Sequence, residues 1–149
     1  MKSLFKQTDN KELIDRINQL TGTSNSQWGK MNVSQMIAHV QVPMKVAIGE
    51  VKLKRGILGI LFGGIVKKQL TGPEPFKKKL PTDKRFIVKA QPNFEEEKQK
   101  LISLVQSFGK SGETGLTKAL HPFFGKLTSQ EWDTLMWKHL DHHLRQFGV

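Results

Sequence analysis

Cysteine is absent from the 149 residues. That excludes a disulfide framework, a zinc ribbon, an iron–sulfur cluster and a thiol nucleophile supplied by the chain itself. A bound metal would have to be held by His, Asp or Glu. Tyrosine is also absent, and no surface interleaves aromatics with basic residues in the way single-stranded RNA or DNA readers stack bases. Acidic residues are scarce, 13 against 24 Lys and Arg, for a net charge of +11. The longest nearly apolar run, Gly56 to Val66, has 11 residues, well short of the ~20 a spanning helix needs. The start, Met1-Lys2-Ser3-Leu4-Phe5-Lys6-Gln7-Thr8-Asp9, lacks the apolar stretch and small-residue cleavage site of a secretory signal. The chain therefore reads as cytoplasmic.

What is present describes one domain over residues 1–149. A chain of this length buries about two-thirds of its unfolded surface. It needs no metal merely to fold, so a metal here would serve function.

Hydrophobic periodicity predicts four amphipathic helices. The first begins near Thr8 or Asp9, carries Leu13, Ile14, Ile17 and Leu20 on one face, and ends by Gly22. The second opens at Asn32-Val33-Ser34-Gln35, where Gln35 can reach back to the capping residue. Its apolar face is Val33, Met36, Ile37, Val40, Met44, Ala47 and Ile48, and Pro43 predicts a kink about one turn after His39 that can open a pocket. The third starts at Asn93 with Glu95, Glu96 and Glu97 in its first turn, buries Phe94, Leu101, Leu104, Val105 and Phe108, and stops at Gly109. The fourth opens at Thr128-Ser129-Gln130-Glu131, another capping box, and runs nearly to the end of the chain. The expected fold is all-α, a four-helix bundle.

Residues 51–94 form a long crossover between the second and third helices, unlike the short loops that join antiparallel neighbours. They hold eleven Lys or Arg against two acids, a net +9, so the rest of the chain is nearly neutral. A short extra helix is expected around Ile57–Leu70, and Phe86-Ile87-Val88 reads as extended. The basic cluster Lys77-Lys78-Lys79, with Lys67-Lys68 and Lys84-Arg85, raises encounter rates with polyanions. No base-reading motif accompanies it, and a solvated face or attraction of an anionic substrate accounts for it equally. The run Ile57–Val66, flanked by Lys52, Lys54, Arg55, Lys67 and Lys68, suits an interfacial anchor, a cover over the bundle or a contact between subunits. Its glycines at 56, 59, 63 and 64 lower helix stability and favour a mobile cover over a stiff anchor.

Chemistry concentrates in the histidines. On a helical wheel the apolar arc of the last helix runs from Leu135 through Met136, Phe147 and Leu140 to Leu144, and His139 and His143 fall inside it about 40° apart. His142 lies on its rim, Asp141 faces water, and Trp137 sits at the edge, where it could touch a second subunit. Two imidazoles in a core are costly unless their nitrogens find partners, at roughly 1–3 kcal/mol for each unsatisfied group. An H-x-x-x-H pair can share one divalent cation. His39, on the second helix beside Pro43, is the best-placed third ligand, and three neutral imidazoles leave coordination positions open, the catalytic pattern. Histidines in a hydrogen-bond network or at a subunit contact would show the same spacing. His121, before Pro122, reads first as a loop anchor and otherwise as an acid–base group. His142 reads similarly. Gln146 can orient a ligand or a bound water, or lie on the rim.

The segments Trp28-Gly29-Lys30-Met31-Asn32-Val33-Ser34-Gln35-Met36-Ile37-Ala38-His39, His121-Pro122-Phe123-Phe124-Gly125-Lys126-Leu127-Thr128 and Glu131-Trp132 through His139-Leu140-Asp141-His142-His143-Leu144-Arg145-Gln146-Phe147 together resemble the DinB/YfiT-like superfamily. The resemblance is closest to a branch of unknown function with HPFFG-x-LT and KHLDHHLRQF segments. It implies a four-helix bundle with a long crossover, commonly a homodimer, holding one divalent ion through three histidines that correspond to His39, His139 and His143. Family members include thiol-dependent S-transferases and a mycothiol-dependent isomerase. Three functions are expected to compete. One is a metal-dependent transferase or hydrolase in which Zn or Ni activates water or a low-molecular-weight thiol supplied as cosubstrate. Another is a non-catalytic module docking residues 51–94 on nucleic acid or an anionic surface. A bundle that stores or senses a ligand is a third.

Overall fold

The structure is a computed structural model that describes residues 1–78 and 80–149; Lys79 of the basic cluster lies outside the described residues. Among the described residues there are five α-helices, α1 (Gln7–Gln19), α2 (Val33–Ala47), α3 (Ile57–Thr71), α4 (Phe94–Ser111) and α5 (Ser129–Gln146), and two short 3-10 turns. Among the described residues there is no β-strand, and a single bridge pairs His121 with Gly125. The fold is all-helical.

The capping signals position three of the helices. Asn32 and Gln35, and Thr128 and Glu131, complete reciprocal capping boxes at the starts of α2 and α5, each satisfying two backbone donors that the first turn leaves free. Asn93 caps α4 by accepting from the Glu96 amide. The start of α1 lacks a side-chain cap and lies at Gln7, because the carboxylate of Asp9 accepts from the Ser3 amide instead.

The apolar faces of α1, α2, α4 and α5 meet in one core, with Leu13, Ile17, Met36, Leu101, Met136 and Leu140 fully enclosed. α2 packs on both α4 and α5, and α1 does the same. α2 runs unbroken through the buried Pro43 to Ala47.

Several sequence expectations need correction. α4 does not stop at Gly109; it continues to Ser111 and ends at Gly112, whose φ of 56° is left-handed. A side chain at Gly109 would collide with Asn10, whose amide donates to the carbonyls of Leu4 and Val105. That glycine serves close approach between α1 and α4. Phe86 does not begin an extended piece but closes a 3-10 turn, Lys84–Phe86, capped by Asp83. Asp141 does not face water: it is buried and bonds Arg16 of α1 at 2.8 Å and Arg145 at 3.0 Å. Gly22 lies beyond the end of α1, which terminates at Gln19. Ile57–Val66 does not bury its apolar side chains as a cover over the core; Ile57, Leu58, Ile60, Leu61, Phe62 and Ile65 are exposed.

Candidate metal centre

α2 contributes His39, and α5 contributes His139 and His143 one turn apart. One ring nitrogen from each lies within 4.8 Å of the other two. The Nε2 atoms of His39 and His139 are 3.2 Å apart. Two nitrogens bound to one tetrahedral ion at ~2.0–2.1 Å would be separated by roughly 3.3 Å, so the spacing fits a shared cation.

The outer nitrogens fix how these rings present themselves. His39 Nδ1 donates to the Phe86 carbonyl at 2.8 Å, and His143 Nδ1 donates to Gln146 Oε1 at 2.7 Å. With the proton held at Nδ1, the Nε2 lone pair of each ring is left for the inside of the cluster. His139 has no such partner: its Nδ1 is buried without a hydrogen bond. Gln146 is itself tied down, donating to the Trp28 carbonyl.

Electrostatics keep the trio neutral. Burial lowers the pKa of His39, against a smaller upward push from its bond to Phe86. Burial holds His139 well below the ordinary histidine value, and the neighbouring imidazoles His143, His39 and His142 add to the effect. His143 is pushed down to about 3, first by burial and then by His39. Neutral imidazoles are the form that binds a metal.

Side chains from residues 51–94 and from the loop before α2 wall the cluster. The Phe76 ring lies 6.4 Å from that of His139 and 5.9 Å from that of His142, centroid to centroid. Lys138 on α5 donates to the carbonyls of Leu70 and Gly72, at 2.6 and 2.8 Å, with its ammonium 5.0 Å from the centre of the Phe76 ring. Trp28 meets His142 edge-on at 5.8 Å.

Residues 2–148, nearly the whole chain, match the family of proteins of unknown function DUF1569. The chain belongs to the DUF1569 family. Comparison with curated proteins gives no match, and comparison with solved structures gives none.

The other candidate residues of this DUF1569 protein are placed unequally. His142 is half-buried beside His143, ring centroids 5.1 Å apart, and outside the convergent trio. Gln146 is buried and acts on His143. His121 belongs to the 121–125 turn: its Nδ1 accepts from the amides of Phe123 and Phe124, both at 3.0 Å, and its ring stacks on Phe124. Sequence reasoning missed Phe86, Phe76, Lys138 and the Trp28 carbonyl. Three of these lie outside any periodic segment, and a backbone carbonyl carries no sequence signal at all.

Proposed function

We propose that His39, His139 and His143 hold one divalent cation, zinc or nickel, and that this is the centre of a metal-dependent transferase or hydrolase. The observation that supports it most is the outward tethering of two imidazoles, which turns the lone pairs of His39 and His143 inward beside His139. Without a cation the inward Nε2 atoms of His39 and His139 have only each other, 3.2 Å apart. The donor set is all imidazole, which suits zinc, nickel, copper and iron. A divalent ion held there would supply Lewis acidity, lowering the pKa of a small thiol or of water enough for attack on an electrophile.

The chain's own residues have separable tasks. The Phe86 carbonyl and Gln146 orient His39 and His143. Phe76 excludes water from one side. His142, half-buried and free of the trio, is the imidazole placed to hold a proton beside the site. Since the chain has no cysteine, a thiol nucleophile must arrive as a second substrate, and the +9 crossover favours an anionic one. This reading takes residues 1–149 as one domain of DinB/YfiT-like type, with α1, α2, α4 and α5 as its four-helix bundle and residues 51–94 as its crossover.

Elemental mass spectrometry of the untagged protein beside His139→Ala tests the proposal. About one zinc or nickel ion per chain, lost in the variant, is expected. Protein that takes up no ion on dialysis against excess Zn²⁺ or Ni²⁺ would refute it.

A further inference from the structure

α3 is joined to the protein through its glycines. Gly59 and Gly63 are its only buried residues, and a Cβ at either would collide with the backbone of Phe123. Arg55 folds back on the start of the helix by donating to the Gly59 carbonyl, and Lys67 ties its C-terminal end to α5 by pairing with Glu131 at 2.9 Å. The opposite arc of the helix carries Ile57, Leu58, Ile60, Leu61, Phe62 and Ile65, each more than half exposed, with Ile57 at 76% and Ile65 at 72%. At about 100° per residue these six fill one continuous outward face. Single exposed apolar residues are ordinary, whereas a contiguous group of this size marks an interaction surface.

The surroundings of that face specify its partner. Lys52 and Lys54 before the helix and Lys68 at its end are exposed, within a segment of net charge +9. Two copies meeting face to face would bring these like charges together. A nucleic acid would meet the charge and leave the six apolar side chains in water. An anionic lipid surface satisfies both. α3 is about 22 Å long at 1.5 Å per residue, shorter than the ~30 Å hydrocarbon core, and no described helix is long and apolar enough to cross a membrane. It would lie in the interface plane.

We propose that α3 and its flanking lysines dock this protein on anionic phospholipid bilayers, the apolar face entering the headgroup–acyl boundary and the lysines meeting the lipid phosphates. This inference stands apart from the metal reading, and His139→Ala protein should bind vesicles as the wild type does.

The test is co-sedimentation of the full chain with phosphatidylcholine vesicles made with and without phosphatidylserine. Binding only to the vesicles containing phosphatidylserine is expected, weakening with added salt. Leu61→Glu/Ile65→Glu, at exposed positions and checked by an unchanged circular-dichroism melt, should reduce it by more than about tenfold. Lys52→Ala/Lys54→Ala/Lys68→Ala should reduce it roughly fivefold per lysine removed. Absence of binding to phosphatidylserine vesicles, or binding that Leu61→Glu/Ile65→Glu leaves intact, overturns the proposal. So does a concentration-dependent dimer in sedimentation equilibrium that the same variant dissociates, since a second copy then covers the face. Binding to duplex DNA without binding to vesicles overturns it as well.

Discussion

His143 and Gln146 are locked together at 2.7 Å, Nδ1 to Oε1, inside the core of α5's last turns. The glutamine amide is oriented by its own bond to the Trp28 carbonyl, so the loop before α2 sets the angle of an imidazole on α5. Gln146→Ala removes that orientation and leaves both His143 Nδ1 and the Trp28 carbonyl without this partner. Chelator-competition titrations should show metal affinity reduced by about 10–100-fold. A variant with unchanged affinity would make Gln146 a packing residue only.

Ion removal should destabilise the native chain, because a ligand that binds only the folded form adds its binding free energy to folding. At free metal a hundredfold above Kd the contribution is about 2.7 kcal/mol, or roughly 5–10 °C in Tm for a chain of this length. Excess chelator should lower the melting temperature of the wild type by that amount and leave His139→Ala unmoved. Equal shifts in both proteins would locate the ion elsewhere.

His121 makes acid a local denaturant. Burial first, then the charge of Arg85, brings its pKa down to about 4, and its Nδ1 must stay unprotonated to accept from Phe123 and Phe124. The unfolded chain takes up this proton near pH 6.5 and the folded chain only near pH 4, so in that window the unfolded state binds more protons. Stability is therefore full above pH 6.5 and falls as pH drops toward 4, by up to roughly 3 kcal/mol from this group. His121→Asn keeps an acceptor without the titration. Thermal melts across that window should show a shallower decline in the variant than in the wild type, and parallel curves would refute the assignment.

Two glycines in α3 should respond in opposite directions. A Cβ at Gly63 meets the Phe123 carbonyl oxygen at less than contact distance, and one at Gly64 meets nothing within 4 Å. Gly63→Ala is expected to cost about 1–3 kcal/mol. Gly64→Ala, in the same helix and free of contacts, should stabilise it by up to about 1 kcal/mol. Urea denaturation of the two variants measures both signs.

The helical periodicity exposed most of the core because it is local: caps such as Asn32 and Thr128 act within one turn, and the buried arc of α5 follows from residues three and four apart. The same wheel placed His139 and His143 on the inner face, and the position of His39 beside Pro43 on the second helix made it the third member; the structure brings the three together. It failed at Asp141. Position on a wheel marks distance from the apolar arc, and it cannot register that Arg16 of α1 lies opposite. It failed also at Gly109, where a glycine shaped by the neighbouring Asn10 looks like a helix stop. Residues 51–94 were the least legible. Phe86 reaches His39 across 47 positions, and no repeat or capping pattern reports a contact of that range.

The joint between α3 and the 122–124 backbone has a consequence for how the chain can vary. A helix held by the absence of side chains asks for small residues at two positions and for little at the outward ones. The outward six are answerable to the surroundings rather than to the fold. Selection can therefore retune that face, more apolar, more basic or fully polar, without renegotiating the core, so that address and architecture are written on opposite sides of one helix.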